Sequence, residues 1–194
     1  MLNLKEQIID YTLHAKQRMK PPLIKLINNV IYKDMSDKNW GDGQIASGND
    51  KSVRSVRVRE FEEESIENSV SKRIIFNDLK RFVASLEQLY REKVSNWYFS
   101  KDNYFQFLYY EKSNGGHYEY HTDNYKENPR NLTILVGLND SSEYEGGELL
   151  IHNQKEGLKL GLGDVICFPS NFLYPHKVTP LIKGERKVAV IWTQ

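Results

Sequence analysis

The sequence predicts an α+β fold that is mainly β: a double-stranded β-helix (jelly roll) core with supporting N-terminal helices. Two observations carry this reading. From Trp97 onward the chain breaks into short apolar runs: YFQFLYYEK, NLTILVGLN, GELLIH, LKLGLGDVICF, HKVTPL and RKVAVIWT. Gly, Asn, Asp or Pro separates them at the interval expected of an all-β sandwich or barrel. Ahead of them, apolar residues recur mostly at helical spacing. A length of 194 residues suits one domain with a proper interior. We divide 1–194 into a mainly helical flank with some strands, 1–95, and a jelly-roll core, 96–194, with no internal repeat.

In chain order, Asn3 and Glu6 suit the cap of a first helix carrying Leu4, Ile8, Tyr11, Ala15 and Met19 on one side. Pro21-Pro22 then stops it. Residues 23–31, LIKLINNVI, fit a strand pair or a helical turn equally. The Gly-, Asn-, Asp- and Ser-rich stretch SDKNWGDGQIASGNDKS is a loop, with a short strand near Gln44 to Ala46. Arg54, Arg57 and Arg59 alternate with valines ahead of the acidic run Glu60 to Glu64, as on a solvated strand face with compensating charges. A strong helix follows, with Asn77 as its cap and Leu79, Phe82, Val83, Leu86, Leu89 and Tyr90 forming an apolar stripe. Such a helix supports a sheet.

Composition narrows the function classes. The formal net charge is +1 with 27% charged residues, so no nucleic-acid or membrane-surface partner is expected. No basic stripe with interleaved aromatics is present. Cys167 is the only cysteine, which suits a reducing cytoplasm, and residues 1–20 lack a signal-peptide apolar block. Between Ile166 and Phe168 this thiol is a small core residue. His14, His117 and His152 have no partner pattern, and Gly146-Gly147 suits a tight turn at positive φ.

The stretch that promises chemistry is GGHYEYHTDNY. His121 and Asp123 are two apart, so on an extended strand both side chains leave one face. A second imidazole from His176 completes a two-His, one-carboxylate iron site that leaves positions open for substrate and dioxygen. Ten residues after His176 comes Arg186, whose guanidinium can clamp a carboxylate through two parallel hydrogen bonds. An iron with open positions and an arginine behind it suit 2-oxoglutarate, which offers a keto acid to the metal and a distal carboxylate to the arginine.

The chain from about 104 to 193 resembles the iron(II)- and 2-oxoglutarate-dependent oxygenases, in their prolyl 4-hydroxylase-like branch. The resemblance rests on an ordered string. It starts with Tyr118-x-x-His121-x-Asp123, Leu138-Asn139, Gly146-Gly147-Glu148 and Gly163-Asp164 leading to Phe168-Pro169-Ser170. Pro175-His176-x-Val178, Gly184-x-Arg186 and Trp192 complete it. It implies Fe(II) held by His121, Asp123 and His176, and 2-oxoglutarate held by Arg186. Tyr110 and Thr133 match positions lining the cosubstrate pocket, and Tyr118 and Trp192 are expected pocket walls. The implied reaction consumes dioxygen and 2-oxoglutarate, gives succinate, admits ascorbate as an accessory, and hydroxylates an unactivated carbon. Halogenating relatives lack the carboxylate that Asp123 supplies, so hydroxylation is expected. The implied substrate is a prolyl residue in a peptide or protein. The same chemistry on a free amino acid or other small molecule is the alternative, and a non-enzymatic jelly-roll binding protein is the rival of another class. Residues 36–75 and 139–146 are expected to set the substrate, with Trp40 to Asp50 as a lid. The sequence leaves the oligomeric state open.

Overall fold

The computed structural model describes residues 11–36, 38–66, 69–93, 102–124, 129–152 and 154–194. Two sheets face each other, and two helices, α1 (Pro21–Val30) and α2 (Val70–Lys93), back the larger one. The larger sheet runs in the order β1 (Leu13–Ala15), β10 (Val165–Pro169), β7 (Leu132–Gly137), β12 (Leu181–Thr193), β5 (Asn103–Glu111), β4 (Arg57–Glu60), β2 (Gly41–Asp42). β8 (Tyr144–Gly146) pairs with the early part of β12. The smaller sheet runs β3 (Arg54–Ser55), β6 (His117–His121), β11 (His176–Val178), β9 (Leu149–Ile151).

Alternation along each strand divides the interior in two. In β5, Phe105, Phe107 and Tyr109 join the helix-backed core with Ile27, Leu79, Val83 and Leu86. The intervening Leu108 and Tyr110 join a second core between the sheets, with Leu149, Ile151 and Val178 of the smaller sheet. β12 repeats the division: Ala189 and Ile191 face the helices, while Val188, Val190 and Trp192 face the smaller sheet. β7 is buried throughout because both of its faces are covered.

Several local expectations give way to tertiary context. Tyr11, Ala15 and Met19 have helical spacing, yet Leu13–Ala15 is a strand paired with Val165–Cys167. Asp164 anchors it, accepting from the Gln17 backbone at 3.0 Å and from Lys16 Nζ at 2.7 Å. Asn3, Leu4 and Ile8 of the expected helix, and Trp97, lie outside the described residues. Pro21-Pro22 opens α1 rather than ending a helix, because first-turn residues need no N–H partner within the helix. Residues 23–30 are therefore helical, with Ile24 and Ile27 buried. Near Gln44 to Ala46 there is only an isolated bridge between Ile45 and Gly48.

α2 begins seven residues before Asn77, which lies exposed in mid-helix. At its start the Lys72 backbone N–H donates to Ser69 Oγ. Leu79, Val83, Leu86 and Tyr90 of the apolar stripe are buried with Phe82 packed beside them, extended by Ile75 and Phe76, while Leu89 stays half-buried outside that cluster. Arg59 is not solvated. Its Nη1 donates to the Ile31 carbonyl at the C-terminal end of α1, where a cation meets the negative end of the helix dipole. Among the described residues no helix is long and apolar enough to cross a membrane.

Asp164 gives this fold a pH dependence. Burial pushes its carboxyl up, but Lys16 and the backbone N–H groups of Gln17 and Gly161 outweigh burial and hold it below the usual range. A depressed folded pKa contributes stability above the unfolded value, and that stability is lost as pH falls through the folded one. Asp164→Asn should therefore lower the denaturant midpoint at neutral pH and flatten its fall below about pH 4. Parallel wild-type and variant curves across that range would count against the anchor.

Candidate active site

β6 and β11 are antiparallel neighbours, and their register sets His121 directly opposite His176. Tyr118 pairs with Val178, so three residue steps on β6 match two on β11, which marks a bulge. Without it Tyr118 and His121 would leave opposite faces; with it both line one cavity. Their rings stack at 3.5 Å between centroids with 18° between planes. Asp123 lies just beyond the end of β6 rather than on the strand. Its two carboxylate oxygens face the two imidazoles separately. Oδ1 is 3.5 Å from His121 Nε2, and Oδ2 is 3.4 Å from His176 Nε2.

Hydrogen bonds fix what these groups offer. His121 Nδ1 lies 2.8 Å from the Glu119 carbonyl and His176 Nδ1 lies 3.0 Å from the Tyr174 carbonyl. A carbonyl only accepts, so each Nδ1 carries a proton, and in the neutral ring each Nε2 presents a lone pair. Thr133 Oγ1 donates to Asp123 Oδ2 at 2.7 Å and sits 2.8 Å from Ser170 Oγ. Burial works against the charge of Asp123, but His176 and His121 outweigh it and hold the carboxyl well below the usual range. Burial, reinforced by His176, lowers the pKa of His121. Burial also works against His176, but Asp123 overcomes it and raises the pKa.

The donor set fits a divalent metal. One ligand atom from each residue lies within 4.8 Å of the others. Adjacent ligands about 2.1 Å from a metal stand roughly 3 Å apart, so small shifts suffice to close the three around an ion. Two imidazoles and one carboxylate are the donors of a facial triad, and all three residues line one cavity, where they would hold such an ion.

That cavity measures about 750 Å³. Its walls include Tyr118, Tyr110, Arg186 and Trp192, all singled out from the sequence. Arg186 is 1% exposed, and its guanidinium carbon lies 5.0 Å from the Tyr110 ring centre. The Tyr110 and Tyr144 hydroxyls hydrogen-bond it, while its Nε is buried without a partner. Among the described residues it pairs with no carboxylate. A buried cation so placed is costly unless an anion joins it. Thr133, expected on the cosubstrate wall, does not line the cavity; it is fully buried behind Asp123.

Several lining residues escaped the sequence reading. Arg54 carries its guanidinium carbon 4.6 Å over the Tyr118 ring, and Arg130 stacks 3.7 Å from the Trp192 ring centre. Arg54 shares an alternating pattern with Arg57 and Arg59, but alternation does not tell which face is covered. His117 is structural: its ring nitrogens sit 2.8 Å from the Gly115 carbonyl and 3.0 Å from the Ser52 carbonyl. Trp40, expected in a lid, is buried against Tyr32 and Tyr109, while Gly41, Asp42 and Gln44 to Ala46 do line the cavity.

Residues 105–194 match the family model of the 2OG-Fe(II) oxygenase superfamily. A PKHD-type hydroxylase of Prochlorococcus marinus (strain MIT 9301) is 31% identical over 195 residues, covering 96% of this chain and 78% of that relative. The chain belongs to the 2OG-Fe(II) oxygenase superfamily. It is a 2-oxoglutarate-dependent dioxygenase of the prolyl hydroxylase-like kind, and membership implies Fe(II) and 2-oxoglutarate. A PKHD-type hydroxylase of Aliarcobacter butzleri (strain RM4018) is 29% identical, covering 94% of this chain and 77% of its own. The oxygenase also shares its jelly-roll fold with a Pseudomonas putida prolyl-4-hydroxylase, at a TM-score of 0.76 and 14% identity over 98% of both chains. A Trichoplax adhaerens prolyl hydroxylase, solved with a hypoxia inducible factor peptide fragment, gives a TM-score of 0.76 at 18% identity. That match covers 98% of this chain and 86% of the other.

The Thr133 hydroxyl orients the carboxylate, so Thr133→Val should weaken Mn(II) binding about 10- to 100-fold with little change in fold. Calorimetric titration measures this; an unchanged affinity would remove Thr133 from the site.

Proposed function

We propose that this dioxygenase hydroxylates a prolyl residue in a peptide or protein, with His121, Asp123 and His176 holding Fe(II) and Arg186 holding 2-oxoglutarate. The observation that carries the reading is a metal-ligand cluster and an unpaired buried arginine lining one cavity with an open mouth. The relatives named above are hydroxylases, two of the similar folds are prolyl hydroxylases, and one of these was solved with a peptide.

Bound Fe(II) supplies the coupling of dioxygen reduction to oxidative decarboxylation of 2-oxoglutarate, which provides the oxygen inserted into substrate. The chain's own part is positioning. Each Nδ1–H is tied to a backbone carbonyl, so both Nε2 lone pairs aim at one point. Thr133 fixes the rotation of the Asp123 carboxylate. Arg186, braced by Tyr110 and Tyr144, gives the distal carboxylate of 2-oxoglutarate a charge-assisted partner in a dry wall. Leu108, Leu135, Val188 and Val190 make that wall apolar and keep water from the cosubstrate. Tyr104 and Trp192, with ring centres 5.8 Å apart and planes tilted by 31°, line the same cavity with Arg130 stacked on the indole, and this aromatic wall suits contact with an apolar ring of a substrate. Ascorbate fits as an accessory reductant acting from solution.

Protein supplied with Fe(II) and 2-oxoglutarate should form succinate, and His176→Ala should abolish it. Arg186→Gln should raise the KM for 2-oxoglutarate by tenfold or more, in line with ~2 kcal/mol for a charged hydrogen bond. Proline-containing peptides should gain one oxygen by mass spectrometry. Succinate formation with no oxygen gained across a broad peptide panel would sink the prolyl claim and favour a small-molecule substrate.

A further inference from the structure

We infer that Glu60 and Gln106 form a cation-selective subsite at the mouth of the cavity, suited to a lysine or arginine side chain close to the oxidised residue. The inference rests on the reading that the cavity takes a peptide.

Glu60 and Gln106 are register partners on β4 and β5, and both line the cavity. Gln106 is 8% exposed. Its Nε2 donates to Glu60 Oε1 at 3.5 Å, and the Tyr104 hydroxyl also bonds to Glu60. These two donors orient the carboxylate without neutralising it. Among the described residues no lysine or arginine pairs with Glu60. Gln106 Oε1 is buried with no hydrogen-bond partner. An acceptor left so is costly, and a small side-chain rotation would turn it to an incoming N–H group. Glu62, two residues beyond Glu60, adds a second carboxylate to the same lining.

Two arginines that line the cavity are engaged elsewhere. Arg54 rests on Tyr118 and donates to the Gln44 carbonyl, while Arg130 rests on Trp192 and donates to the Asp123 carbonyl. Arg57 lies over Trp40, and Arg59 reaches the Ile31 carbonyl on the helix side of the sheet. A guanidinium or ammonium placed at Glu60 would meet an oriented carboxylate and a spare amide carbonyl. Because Glu60 is exposed, the gain is modest, about fivefold in affinity.

The test uses protein loaded with Mn(II) and 2-oxoglutarate and three capped pentapeptides. They are identical around a central proline except for one adjacent residue, which is arginine, uncharged citrulline or glutamate. Calorimetry should show the arginine peptide binding about fivefold tighter than the citrulline peptide. Glu60→Gln should erase the difference. Glu60→Lys should reverse the order so that the glutamate peptide binds best, which misfolding would not produce. Equal binding or no binding of the arginine and citrulline peptides, or an arginine preference that survives Glu60→Lys, would overturn the subsite. The prolyl reading fails separately. It is lost if the arginine peptide binds with a Glu60-dependent preference but gains no oxygen under Fe(II) and dioxygen.

Discussion

The molecule depends on one constraint: β12 must serve two interiors at once. Its odd positions, Ala189 and Ile191, seal the sheet against α1 and α2, and its even positions, Arg186, Val188, Val190 and Trp192, build the cavity wall. Because a strand's side chains have a period of two, a slip of one residue against β5 or β7 would exchange these sets. The arginine would be driven into the helix-backed core and apolar side chains would replace it in the cavity. β12 is held on both sides, with nine register pairs to β5 and six to β7. The strand that carries Arg186 is therefore among the most strongly specified in the fold.

Two buried charges sit in this frame, and each is tolerated for a different reason. Asp123 lies between two imidazoles and accepts from Thr133, so its charge is compensated inside the protein. Arg186 has aromatic hydroxyls and a π face around it but no carboxylate. A cation held so is stabilised most when an anionic ligand joins it. In the proposed role of Arg186, stability and cosubstrate binding are linked through one side chain, because an anion bound there offsets the cost of burying the cation.

The bulge in β6 has a comparable role. It lets one short strand present both Tyr118 and His121 to the cavity, where a strictly alternating strand would present only one. Arg54 extends the stack outward from Tyr118 and holds the Gln44 carbonyl of the loop above. The loop that lines the cavity mouth is thereby tied to a predicted metal ligand through two ring contacts and one hydrogen bond. Trp40 is locked in the aromatic cluster at the other end of that loop.

The sequence by itself determined the β-rich core, the supporting helix stripe and the chemical identities of the site. His-x-Asp, the later histidine and the distant arginine are residue types with few alternative uses in that order, and short apolar runs between turn residues have a strong period. What only the tertiary structure decided were outcomes of pairing and coverage. Leu13–Ala15 became a strand because β10 offered an open edge, Arg59 was buried because α1 ended beside it, and Thr133 moved behind Asp123 rather than onto the cosubstrate wall. The same limit hid Glu60 and Gln106, since alternation places them on one face but not against which neighbours. Local pattern records which residues share a side; only packing determines what that side meets.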